Sequence, residues 1–290
     1  MPGGSRDWTD SRSVRNIAAS GTGRSNLLLT SFSGASVRRV IDRANARVAE
    51  HAHDWPVLSL FVIGAYTNYS ELGELVISGP SALLYRARAA HRNEVAAEGF
   101  EQIEIEFDPA WLGCGGRQSD PVRRWVGGRV GAQARALVQR LGRDLAEERL
   151  RAELRRFMQQ TAVGESDRMV PRWGSFVERR LRQDAGARVA DLARELGRHP
   201  SWLGTAYRLM SGEGILDTAA RLKVERAARL LRETELSLAA VASEAGFCDQ
   251  SHMNRTLRRV LARTPAAVRR DRNDLRQPFP PPPVASRSPI

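Results

Sequence analysis

Two stretches decide the fold: VADLARELGRHPSWLGTAYRLM at residues 189–210 and SLAAVASEAGFCDQSHMNRTLRRVL at residues 237–261. They are two copies of one supersecondary unit. In the first, Val189, Leu192, Ala193 and Leu196 recur at three- and four-residue steps, the period of a helix with one apolar side. Gly197 supplies the left-handed position that ends such a helix. Pro200 follows, tolerated in a first turn where a missing N–H costs little, and opens a second helix. In the second copy Ser237 is an N-cap for LAAVASEA, Gly246 ends that helix, and another runs from about Gln250 to Leu261. Helix, glycine-containing turn, helix, twice over, predicts tandem helix-turn-helix units.

The connecting stretch ILDTAARLKVERAARLLRETEL has about twenty residues and few helix breakers. At ~1.5 Å per residue it spans about 30 Å. That is close to the ~34 Å between successive major-groove faces on one side of B-DNA. Such a strut places two reading helices in adjacent grooves.

RLKVERAARLL (221–231) and LSLAAVASEAGFCDQSHMNRTLRRVLARTPAAVRR (236–270) closely resemble the C-terminal signature of AraC/XylS-type transcription regulators, within a match of about 95 residues. In that family a Gly-Phe pair follows the third-from-last helix, and a serine and an apolar or aromatic position open the next. Basic pairs and Thr-Pro come after. Met253 stands where phenylalanine is usual, and Arg263 where many members have glycine before Thr264-Pro265. Methionine is an acceptable filler of the same core space. The resemblance implies a sequence-specific regulator that binds double-stranded promoter DNA, with RNA polymerase as a further partner if it activates. It also implies a small-molecule effector held by the N-terminal part.

Helical geometry assigns roles within the units. At about 100° per residue, Met253, Leu257, Val260 and Leu261 share an inward face. Ser251, His252, Arg255 and Arg259 point away, Asn254 and Arg258 flank them, and Gln250 sits at the exposed start. The N-terminal residues of a recognition helix reach base edges, while later ones meet phosphate. Arg255 suits guanine, and Gln250 or Asn254 adenine. These positions also match where the family makes its base contacts. In the first unit Leu203, Ala206, Tyr207 and Met210 pack inward and leave Ser201, Thr205 and Arg208 outward. Thr205 occupies a position where the family often has arginine, so this helix is poorer in long donors.

Ahead of these units the pattern is one of strands. VLSLFVI begins at Val57, and ELVIS and ALLYRA are separated by Gly79-Pro80. FEQIEIEF puts Ile103, Ile105 and Phe107 on one face and Glu104 and Glu106 on the other, the period of a half-buried strand. Short strands spaced by turns predict a small antiparallel barrel or sandwich. His51-Ala-His53 puts two imidazoles on one face of an extended chain. With Tyr66, Tyr85, Arg86 and His91 they are expected to line an effector pocket or its rim, and a wholly structural role for the histidines fits as well. The segment is loosely similar to the cupin-like barrel found in front of many AraC-type DNA-binding regions. Metal-binding cupins place a glutamate shortly after the histidine pair, where this chain has Trp55, Pro56, Val57 and Leu58. They also place a proline-glycine step before the later histidine, where RARAA stands. No metal and no cofactor are therefore assigned.

The expected fold class is α+β: an N-terminal cupin-like antiparallel β-barrel with trailing helices, and a C-terminal all-α double helix-turn-helix domain. Residues 1–36 read as a flexible arm and 37–160 as the β-rich effector-binding and dimerisation domain. Residues 161–172 read as a linker, 173–274 as the DNA-binding domain, and 275–290, with PFPPPP, as a disordered tail. Helix is expected from Trp125 onward, with Gly142 as a weak point. The apolar rows Val130–Leu145 and Leu150–Met158 exceed what one small barrel needs, and related regulators dimerise there, so a homodimer is expected. In the alternative both helices pack within the chain.

Composition narrows the rest. Of 45 basic residues only Lys223 is a lysine, a bias that a GC-rich genome also produces. Position says more: residues 171–290 carry 22 basic and 13 acidic side chains, whereas 51–112 carry 3 and 9. An acidic segment ahead of a basic third fits a sensor joined to a nucleic-acid binder. No run approaches the roughly 18 apolar residues of a membrane span, and no signal peptide is visible. Two cysteines, Cys114 and Cys248, lack disulfide or metal spacing, so a cytoplasmic protein without membrane contact is expected. No catalytic constellation appears, a reactive Cys114 thiol has no support, and the chain reads as a non-enzyme. The rival is a cupin-type metalloenzyme fused to a DNA-binding domain, against which the missing glutamate stands. A third reading has the N-terminal domain bind a protein.

Overall fold

The computed structural model describes residues 24–113, 123–141, 146–161 and 171–276. The strands are β1 (Arg24–Phe32), β2 (Ala35–Asp42), β3 (Arg47–His51), β4 (Val57–Ser70), β5 (Gly73–Ser78), β6 (Ser81–Tyr85) and β7 (His91–Phe107). After a single turn, α1 (Pro109–Leu112), comes β8 (Arg123–Val126). Then follow α2 (Gly128–Leu141), α3 (Glu147–Thr161), α4 (Arg172–Gln183), α5 (Val189–Glu195) and α6 (Pro200–Ser211). The long α7 (Ile215–Glu233) leads to α8 (Leu238–Glu244), α9 (Gln250–Leu261) and α10 (Pro265–Arg276). The architecture is α+β, an antiparallel sheet followed by a helical domain.

The sheet runs β1-β2-β7-β4-β6-β8, with β3 added to β7 and β5 to β4. β4 and β7 are long enough to serve different neighbours at their two ends, and they bend together where their register shifts at Phe61/Ile63 and Gly64/Tyr66. Glycine is required at this bend. Gly64 has φ +91°, and a Cβ on it would stand 2.0 Å from the carbonyl oxygen of Gly99.

VLSLFVI is apolar without alternation because both its faces are covered. Leu58, Leu60 and Val62 join Ile103, Ile105 and Phe107 against Ala134, Leu137, Leu150 and Leu154 of α2 and α3. Val57 and Phe61 look the other way, with Tyr66, Leu83, Tyr85 and Phe100. The apolar rows of α2 and α3 are thus buried in the chain's own core and no longer argue for a second copy. The first helix-turn-helix unit has its own core of Val177, Leu181, Leu192, Leu203, Tyr207 and Ile215. The second unit is continuous with the core under the sheet, through Val224, Ala228 and Leu231 of α7.

Three expectations need correction. The flexible arm stops short, because residues 24–32 and 35–36 are strand; β1 is a half-exposed edge strand whose Leu27–Leu29 run has no clear period. Residues 1–23 lie outside the description, as do Cys114, Gly142, most of the linker and residues 277–290. Trp125 belongs to β8, which pairs with β6, and helix starts only at Gly128, after Gly127 turns with φ +63°. Glu104 and Glu106 do not face solvent: both are buried on the second face of β7. Periodicity cannot distinguish a watered face from a buried polar one.

Ala262 closes α9 in the left-handed conformation, with φ 55°. That region costs a residue with a Cβ about 1–2 kcal/mol. Ala262→Gly is expected to raise stability by about 1 kcal/mol, read as a higher urea midpoint at unchanged slope. An unchanged or lower midpoint would show that glycine's greater chain entropy outweighs the relieved strain.

Candidate nucleic-acid interface and buried polar face

In the first unit Gly197 adopts φ +61° between α5 and α6, and the His199 ring nitrogen accepts the Ser201 N–H at 3.3 Å. In the second, Ser237 Oγ accepts from the Ala240 N–H at 3.2 Å, and Gly246 turns at φ +79°. Asp249 Oδ1 then caps α9, accepting from the His252 N–H at 2.6 Å. The strut α7 is pinned to the first unit by buried charge. Arg221 donates to Glu213 at 2.9 and 3.0 Å and to Glu225 at 2.7 Å.

The two candidate reading helices present the residues expected of them. On α9, Met253, Leu257 and Leu261 are buried and Val260 is half-buried. Gln250, Ser251, Arg255 and Arg258 are exposed, as is Arg259. His252 and Asn254 are half-buried, and the His252 ring stands edge-on to Phe247 at 5.3 Å. On α6, Leu203 and Tyr207 are buried, while Ser201, Thr205 and Arg208 are exposed. Trp202, expected at the side of this helix, was given no role. It is exposed on α6, 5.4 Å from the Trp173 ring, with the Arg198 guanidinium over it at 5.1 Å. An arginine four residues before an outward tryptophan was the signal for it.

The sheet's second face gathers the other candidates. His51, His53, Tyr66, Tyr85 and His91 are all buried. Tyr85 stacks on His91 at 4.0 Å, and its hydroxyl accepts from Asn68 Nδ2 at 2.9 Å. Asn68 also donates to Asn93 Oδ1 at 2.8 Å. Arg86 is the exception: it is exposed and pairs with exposed Glu71 at 2.7 Å. Sequence reasoning also missed the charges on this face. Arg24 lies 3.5 Å from Asp42 and 3.7 Å from Glu104, all three buried. Buried guanidinium nitrogens of Arg24 (Nε, Nη1) and Arg38 (Nε, Nη2) have no hydrogen-bond partner. Burial pushes the Asp42 carboxyl up despite Arg24, and it pushes His51 and His53 down to about 4.

A fold with two capped helix-turn-helix units on one strut defines a class, the tandem helix-turn-helix DNA-binding domain. Residues 179–271 match the family described as a helix-turn-helix domain. The HTH-type transcriptional regulator GlxA of Rhizobium meliloti (strain 1021) is 32% identical over 94 residues, covering 32% of this chain and 27% of that protein. A putative AraC-like transcription regulator of Streptomyces lividans is 34% identical over 82 residues, covering 28% and 27%. The chain thus spans about a quarter of the length of the curated relatives it matches. Among solved structures, ToxT from Vibrio cholerae O395 aligns over 80% of this chain and 95% of its own, at 12% identity and a TM-score of 0.34. Residues 179–271 are an AraC/XylS-type DNA-binding domain. No helix among the described residues is long and apolar enough to cross a membrane.

Proposed function

We propose that this chain is a sequence-specific transcription regulator that reads DNA chiefly with α9 and answers to a small polar molecule held on the second face of the sheet. The outward row of α9 carries the first part. Gln250, Ser251 and Arg255 stand exposed in its first two turns, on a helix fixed by the Asp249 cap and by buried Met253 and Leu257. Arg255 is long enough for two bonds to one guanine, whereas Thr205 on α6 offers one short hydroxyl. Arg24 Nη1 and the Nε and Nη2 of Arg38, buried without a hydrogen-bond acceptor, support the second part, since such donors are costly unless a ligand or water meets them. They favour a molecule with anionic oxygens. Arg221 links that sheet to the strut: its guanidinium bonds Glu225 at 2.7 Å and lies 5.8 Å from the Phe61 ring.

The test is selection from a random duplex library with the full chain, followed by binding to single-base variants of the selected site. Arg255→Ala is expected to lose discrimination at one base position, by about 1–3 kcal/mol. Arg208→Ala should weaken all duplexes alike and flatten the salt dependence by roughly one unit. A library that enriches no sequence refutes the DNA-reading role. If Thr205→Ala relaxes base preference as much as Arg255→Ala, α9 is not the chief reader.

A further inference from the structure

His51 ends β3, His53 follows two residues later, and His91 opens β7. The antiparallel pairing of β3 with β7 sets His51 directly opposite His91. Ring centroids lie 4.2 Å apart for His51 and His91, 5.3 Å for His51 and His53, and 5.4 Å for His53 and His91. One ring nitrogen from each falls within 4.8 Å of the other two, and all three side chains are buried.

We infer that His51, His53 and His91 form a three-imidazole site for a divalent first-row transition ion such as Zn²⁺ or Co²⁺. The hydrogen bonds identify the ligand atoms of His51 and His91. His51 Nδ1 lies 2.9 Å from the Ala49 carbonyl oxygen, and His91 Nδ1 lies 3.3 Å from that of Ala89. A ring nitrogen facing a carbonyl carries the proton, which leaves Nε2 of a neutral ring with its lone pair free. A backbone partner on the far nitrogen is what fixes the tautomer of metal-binding imidazoles. Tyr85, stacked on His91 and held by Asn68, keeps that ring in place.

The donor set selects the ion. Three imidazoles suit zinc, cobalt, nickel, copper or iron and not magnesium or calcium, which take oxygen ligands. At a metal–nitrogen length of about 2.0–2.1 Å, tetrahedral ligand atoms stand about 3.4 Å apart, so small ring rotations draw the trio in. A glutamate after the histidine pair is not needed for this set. Three protein ligands leave coordination positions open, to be filled by water or by an oxygen of a small molecule. The site rests on its own geometry and not on the DNA-reading role.

The experiment uses the full chain without a histidine tag, stripped with chelator and titrated with Co²⁺ and Zn²⁺ by calorimetry and visible absorption. One equivalent per chain is expected, with cobalt d–d bands and a higher Tm. His91→Ala should weaken binding by more than about 100-fold, beyond the 10–100-fold typical of outer-shell partners. His53→Gln serves as a second variant, and circular dichroism shows that each is folded. His199→Ala and Cys248→Ser, at surface sites away from the cluster, should bind as the parent does. Absence of d–d bands in the parent, or equal affinity in folded His91→Ala and His53→Gln, would overturn the assignment and leave a stacked histidine cluster. DNA binding, measured in parallel, fails or survives independently.

Discussion

Glu101→Gln is expected to destabilise the chain by about 3–5 kcal/mol, because it removes a fully buried carboxylate on which guanidinium groups of two different elements converge. Glu101 is fully buried on the helix-facing side of β7 and bonds Arg39 of β2 and Arg232 of α7. Arg232 continues to Asp271 of α10 at 3.3 Å, and Arg263 closes on Asp271 at 2.8 Å. Charges alternate along this chain, so each is neutralised by its neighbours. A neutral amide leaves Arg39 buried without a counter-charge, at a cost larger than the net worth of the original pair. Burial alone would raise the Glu101 carboxyl, but Arg39 and then Arg232 and Arg263 outweigh it and hold it down at about 2. Since that lies below the ordinary 4.5, its contribution is complete above about pH 4.5 and fades as pH falls toward 2. Urea midpoints of parent and Glu101→Gln should therefore differ most at neutral pH and converge in acid. A constant gap between pH 7 and pH 3 would show that Glu101 acts by shape and not by charge.

That seam was out of reach of the sequence, and the reason is general. The helix-turn-helix units were legible because local residues carry them: Gly197, Pro200, Ser237 and Gly246 mark ends, and a 3.6-residue period marks the buried faces. α9 runs over the residues expected, Gln250–Leu261. The sheet was legible only as strands. Glu104 and Glu106 alternate with Ile103 and Ile105 as they would on a solvent-facing strand, yet both lie inside, Glu104 near Arg24 and Gln102. β1 was lost because an edge strand needs no clean alternation, and β8 because Trp125 continues the helical period that follows it.

The histidines show the same division. His51-Ala-His53 was visible as a pair on one face, but the arrival of His91 opposite His51 is a matter of register between strands about forty residues apart. Arg86 was wrongly grouped with them for the complementary reason. Tyr85 points inward, so its neighbour on an extended chain must point out, and there it meets Glu71.

Gly64→Ala is expected to destabilise the chain by about 4 kcal/mol or more and to loosen the link between sheet and strut. Two costs add at one atom. At φ +91° a side chain is strained by about 1–3 kcal/mol. Its Cβ would also stand 2.0 Å from the Gly99 carbonyl oxygen and 2.8 Å from Phe100 Cα. Backbone, unlike the end of a flexible side chain, cannot move aside without shifting β7, and such overpacking typically costs a further 1–3 kcal/mol. The shift would propagate, because Arg221 of α7 lies over Phe61 on the same strand and bonds buried Glu225 at 2.7 Å. Gly73 supplies the control. Its φ is similar, +83°, but nothing lies within 4 Å of its added Cβ, so Gly73→Ala isolates strain from overlap. Urea unfolding should place Gly73→Ala about 1–3 kcal/mol below the parent and Gly64→Ala well below that. If the two variants lose the same amount, the close approach of β4 and β7 contributes nothing, and the bend is held by its neighbours alone.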